Sequence, residues 1–240
     1  FMAPERVDRL KGIAQMTWTR TIDDTLGLSI DEMKRRPTEE PKPPVEEPML
    51  ADKDWHIIPH DAPIDYGRYD AEGITIKPGP HKYNLGEIYN LCIGRGTLTA
   101  EDRFKIQDHI IQTIFMLKAL PFPKNLARVP EWAGGHHEMM NGKGYPKGLV
   151  KDDMSVPARM MAVADIFEAL TAADRPYKKP KTLSEALKIM SFMVKDQHID
   201  ADLWELFLTS GVWKRYAEAN LKPEQIDDPD ISQWIRKAAE

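Results

Sequence analysis

From Leu98 onward the chain is punctuated as a series of helices, and that punctuation constrains the fold more than any other feature. Thr99 followed by Asp102 has the spacing of a capping box, in which side chains and backbone N–H groups satisfy one another at a helix start. Ile106, Ile110, Ile114 and Leu117 then form one apolar face up to Leu120, and Pro121 and Pro123 stop that helix. A second helix is predicted to carry Trp132 to Met140. A glycine-rich loop, Asn141 to Asp153, follows it. Pro157 suits the first turn of a third helix running through Leu170. Thr182 and Glu185 open a fourth, again with capping-box spacing, and a fifth contains Leu203, Phe207 and Leu208. Apolar stripes of this kind are buried by facing one another, so the predicted class is all-α, a helical bundle.

The first 97 residues read differently. Residues 4–35 are predicted helical, with Val7, Leu10, Ile13 and Trp18 as an apolar stripe and Ser29 preceding a short helix from Ile30 to Arg35. Pro37, Pro41, Pro43, Pro44 and Pro48 alternate with Glu and Lys, which predicts an extended, poorly packed linker over 36–49. Residues 50–97 are turn-rich and read as an irregular arm. The expected organisation is a helical segment over 1–36, a Pro-rich linker and irregular arm over 37–97, and a helical domain over 98–240.

Charge narrows the partners. A formal net charge of -5 argues against a broad nucleic-acid or membrane footprint, so an anionic ligand must be held by a local cluster. No apolar run is long enough to span a bilayer. The single cysteine, Cys92, excludes a disulfide framework and fits a cytoplasmic setting. The start, Phe1-Met2-Ala3-Pro4, lacks the pattern of a signal peptide, and a sensor domain preceding residue 1 is an expectation.

Four residues carry metal-ligand chemistry. His109 sits among the isoleucines of its predicted helix, at the core edge. His136 and His137 are adjacent, so on a helix their rings diverge by roughly 100° and address one site from two sides. Asp165 lies in VADIFEAL, where a carboxylate is costly to bury unless it is paired, hydrogen-bonded or on a metal. Taken singly, each has an ordinary reading as a satisfied core residue or ion pair. Three such features on successive helices suit iron, manganese, zinc or nickel. In the loop HHEMMNGKGYPKGL, glycines allow close backbone approach, and Tyr145 can stack on a base or hydrogen-bond a phosphate. Arg175, Lys178 and Lys179 around Tyr177 in RPYKK form a compact phosphate-binding set, or else a solvated loop.

HHEMMNGKGYPKGL, followed by SVPARMMAVADIFEALTAADRPYKK, closely resembles the HD-GYP family of cyclic di-GMP phosphodiesterases, over residues 98–195. The resemblance implies an HD-domain-like helical bundle holding divalent transition metals, commonly iron or manganese. It implies His109, His136, His137 and Asp165 as metal ligands. It assigns Tyr145, Arg175 and Lys178 to the substrate, a cyclic dinucleotide or related phosphodiester opened by metal-activated water. The family's His-Asp dyad has no counterpart where expected: the matching stretch, GPHKYNLGEIYNLCIGRGTLT, holds His81 and no such pair. The only His-Asp dipeptide, His60-Asp61, lies farther upstream in the Pro-flanked IIPHDAPID. Asn141 stands where the family usually has Asp. Two readings follow from these departures. One is a phosphodiesterase with one ion in place of two. The other is a domain that binds a nucleotide or transmits a signal without turnover. The aromatic tail, with Trp204, Phe207, Trp213, Tyr216 and Trp234, reads as core, or as a docking face for a partner or second copy.

Overall fold

A computed structural model describes residues 2–37, 41–174 and 179–235. The protein is mostly helical. It divides into two compact units, Phe1–Tyr66 with Lys77–Ile106, and Gly67–Ile76 with Gln107–Glu240.

The first unit opens with α1 (Pro4–Ala14), whose first-turn proline lacks only an N–H that a helix start leaves unbonded. The chain then turns extended as β1 (Thr17–Arg20), and α2 (Ile30–Arg35) follows behind the Ser29 capping box. The helical reading of 4–35 is therefore corrected over β1: Trp18 lies on this strand and is exposed. The Pro-rich stretch is corrected too, because β2 (Val45–Pro48) pairs antiparallel with β1, Thr17 opposite Pro48 and Arg20 opposite Val45. Charge pairs accompany this strand ladder. Buried Arg20 meets Glu47 at 3.0 Å and Asp24 at 3.2 Å. The arm beyond holds a second small ladder, β3 (Ile57–Ile58) with β4 (Tyr83–Asn84), and α4 (Glu87–Leu91). The Asp52 carboxylate accepts the Ile88 and Tyr89 N–H groups that α4 leaves unbonded at its start. Two helices, α3 (Tyr66–Ala71) and α5 (Ala100–Ala119), pass from one unit into the other. The predicted Thr99–Asp102 box caps α5, and α5 ends just before Pro121.

The second unit contains the bundle: α6 (Val129–Gly134), α7 (Val156–Thr171), α8 (Leu183–Lys195), α9 (Ala201–Thr209) and α10 (Val212–Asn220). On α8, Leu183, Ala186, Leu187 and Met190 fall on one face at helical spacing and are all buried. They meet Val163 and Phe167 of α7, Trp204 and Leu208 of α9, and Trp213 of α10 in one core. The aromatic tail belongs to this core: Trp204 and Trp213 are buried, and Phe207, Tyr216 and Trp234 pack against them. The second predicted helix is corrected. It ends at Gly134, short of the histidine pair.

One buried carboxylate ties these helices together. Asp200 accepts the Asp202 and Leu203 N–H groups at the start of α9 and pairs with Arg159 of α7. Lys151 Nζ stands 3.4 Å away. Burial pushes the Asp200 pKa up, but these bonds and charges outweigh it and hold it below the usual carboxylate range. Asp200→Ala, which strands Arg159 in the interior, is expected to cost about 3–5 kcal/mol in urea unfolding. The stabilisation from Asp200 is complete above the unfolded value of about 3.9 and is lost as pH falls through the lower folded one. The wild-type protein, and not the variant, should therefore show this added acid-limb loss.

Candidate metal centre

The site begins where α6 stops. At Gly134 a Cβ would come 2.8 Å from Ile114 Cγ1 of α5, so glycine lets α6 approach α5 closely. The turn just after it carries His136 and His137, and α5 carries His109. One metal-ligand atom from each of these three histidines lies within 4.8 Å of the others. His136 Nδ1–H donates to the Ala133 carbonyl at 2.7 Å. A carbonyl only accepts, so this bond fixes the tautomer and leaves Nε2 with its lone pair outward. His137 Nε2 and His109 Nε2 stand 3.0 Å apart, and two lone pairs do not face each other at that distance without a proton or cation between them. Burial, followed by the neighbouring His136 ring, lowers the His137 pKa to about 4, with Asp165 opposing. His137 is thus neutral at pH 7, the form that ligates. The donor set fits a divalent transition metal.

Asp165 is placed differently from its expected burial. It is exposed on α7, and so is His109 on α5, although Ile110 beside it is fully buried. An apolar neighbourhood in sequence spans every face of a helix, so it does not fix which way one residue points. Asp165 lies outside the three-histidine group, but its charge acts on both His137 and Tyr145.

The glycine-rich loop folds back over the histidines. Tyr145 N–H donates to the His137 carbonyl at 3.2 Å, and the two rings stack with centroids 4.8 Å apart and planes at 21°. Gly144 makes this return possible: a Cβ there would sit 2.3 Å from the Met139 nitrogen. Burial and then the Asp165 charge raise the Tyr145 pKa above its ordinary value, so the phenol keeps its O–H as a donor. Glu138 closes the loop from beneath. Its carboxylate is 1% exposed and accepts Lys147 N–H at 2.7 Å and Leu149 N–H at 2.9 Å. Burial raises its pKa, with these backbone donors pulling the other way. The sequence placed Glu138 beside the histidine pair, but a side chain that serves backbone N–H groups leaves no pattern to read. His198, half-buried and electrostatically coupled to His137, was also missed.

Arg175 and Lys178 lie outside the described residues. Lys181 N–H donates to the Leu170 carbonyl, and the buried Gln225 amide donates to the Thr171 and Lys181 carbonyls. His60 and Asp61 belong to the first unit and are engaged there: His60 Nε2 is 2.9 Å from the Gly79 carbonyl, and Asp61 pairs with Lys82 at 2.6 Å.

A family model described as HD domain matches residues 44–203, two-thirds of the chain. The chain belongs to the HD-domain family. Its relatives bear out the HD-GYP resemblance. The HD-domain chain is 34% identical, over 61% of its length, to 3'3'-cGAMP-specific phosphodiesterase 1 of Vibrio cholerae, and covers 30% of that protein. It is 31% identical, over 60% of its length, to 3'3'-cGAMP-specific phosphodiesterase 2 of the same organism, covering 27%. Against a cyclic di-GMP phosphodiesterase of Thermotoga maritima it is 45% identical over 44% of its length, covering 29%. It thus spans less than a third of each of these relatives. Among the described residues, no helix is long and apolar enough to cross a membrane.

Two outcomes are expected. Glu138→Gln sets an NH2 against a buried backbone N–H and should cost about 1–3 kcal/mol in urea unfolding. In metal-free protein the unfolded chain protonates His137 at about 6.5, while the folded one resists to about 4. Stability should therefore fall as pH drops between those values, and His137→Asn should flatten that slope.

Proposed function

We propose that this HD domain is a metal-dependent phosphodiesterase acting on a cyclic dinucleotide, with His109, His136 and His137 holding a divalent ion, iron or manganese. The observation that carries the reading is the trio of imidazoles whose ligand atoms lie within 4.8 Å, with His137 held neutral by burial. Asp165, exposed beside them, serves as a further ligand or as an acceptor for a proton from the attacking water. The bound metal supplies Lewis acidity and a water of lowered pKa. Tyr145 donates its O–H to a phosphate oxygen or presents its ring edge to a base. Arg175 and Lys178 take the phosphates, as the family resemblance implies. The relatives' names support cyclic di-GMP and 3'3'-cGAMP as the first substrates to try.

A second reading, binding without turnover, draws on the engagement of His60 and Asp61 with Gly79 and Lys82, which leaves that pair committed to its own loop. Metal content and turnover separate the two. Protein reloaded with Mn2+ or Fe2+ is expected to hydrolyse one of the two dinucleotides. His137→Ala should weaken Mn2+ affinity at least about tenfold and abolish turnover. Protein that holds metal and binds a dinucleotide without cleaving it, or a generic diester, supports the second reading instead.

A further inference from the structure

The loop between the histidine pair and α7 leans on one short turn. After α8 the chain runs through Asp196, Gln197 and His198, fixed by N–H bonds back to Phe192, Val194 and Met193. Gln197 adopts a left-handed φ of 53° there. The carbonyls of these three residues form an acceptor-only row, and each is met by a donor from the loop. Met140 N–H reaches the His198 carbonyl at 3.3 Å, and Asn141 N–H the Gln197 carbonyl at 3.1 Å. The Asn141 side chain completes the row, Nδ2 donating to the Asp196 carbonyl at 2.8 Å. On its other side Asn141 Oδ1 accepts the Lys143 N–H at 3.0 Å. A carbonyl on one side and an N–H on the other leave the amide one orientation.

We infer that Asn141 is a positioning residue, whose amide latches the loop to the carbonyl row of 196–198 and so holds Tyr145 against His137. The inference rests on reading the three histidines as a metal centre. Its physical basis is the polarity of the turn. Carboxylate oxygens at position 141 would still accept from Lys143 but would face the Asp196 carbonyl oxygen with no hydrogen between them. The Asn141 amide thus matches both of its partners in this turn, donating to one and accepting from the other. From Asn141 the effect passes along the backbone. Lys143 is fixed by Asn141, Gly144 packs on the backbone of Glu138 and Met139, and Tyr145 lies over the His137 ring.

The test compares wild type with Asn141→Asp and Asn141→Ala by hydrogen exchange, Mn2+ titration and steady-state kinetics. Asn141→Asp is expected to speed amide exchange across 139–149 while α7 and α9 keep wild-type rates. It should weaken Mn2+ affinity about tenfold, the scale seen when a ligand's supporting partner is removed. It should also lower kcat more than it changes KM. Asn141→Ala removes both side-chain bonds without adding charge and should fall between the two; it carries the comparison should Asn141→Asp fail to fold. Unchanged exchange in the loop, or a uniform rise across the whole second unit, overturns the inference. If wild type binds Mn2+ but cleaves nothing, the phosphodiesterase reading fails while exchange and affinity still decide the latch. If wild type binds no Mn2+, the metal reading fails and loop exchange alone decides it.

Discussion

The buried Asp200 carboxylate holds the second unit in register. It caps α9, binds Arg159 of α7 and faces Lys151, so three separately folded stretches meet on one pair of oxygens. Removing a carboxylate from water is costly, and only several simultaneous donors make its burial favourable. Those donors are all supplied here. The consequence reaches the candidate site, because Asp200 lies two residues past the 196–198 turn on which the glycine-rich loop is hung. With α7 and α9 fixed at this point, the turn has a fixed place, and Met140 and Asn141 have fixed acceptors to bind.

The same logic appears twice more at smaller scale. Glu138 is a buried carboxylate that serves backbone N–H groups, and Gln225 is a buried amide that serves backbone carbonyls. Each closes a loop by answering polar backbone that no helix or sheet satisfies. The net charge of -5 acts weakly at a distance, because the global field is screened within about 10 Å at ordinary ionic strength.

Much of the bundle was legible in the sequence because helix ends are written in short-range chemistry. Ser29, Thr99 and Thr182 each cap the helix predicted for them, and Pro121 and Pro157 sit beside the end and start they imply. The failures have two causes, one long-range and one local. Trp18 and the Pro-rich stretch form a strand pair because Arg20 finds Glu47 across 27 residues, a contact no local pattern encodes. His136 and His137 lie on a turn and not a helix, since the two glycines before them end α6 early. The family motif brought the site's residue types into view. Which of them face one another, and the loop bonds made by Glu138 and Asn141, depend on tertiary contacts.

The Gln225 amide gives the chain a direction in time. Its bond to the Thr171 carbonyl joins residues 54 apart in sequence. At a synthesis rate of roughly 5–20 residues per second, Gln225 is made about 3–11 s after Thr171. Until then the Thr171 carbonyl at the end of α7 and the Lys181 carbonyl are both without this partner. The buried link between the end of α7 and Lys181 is therefore completed only once the stretch beyond α10 has been made.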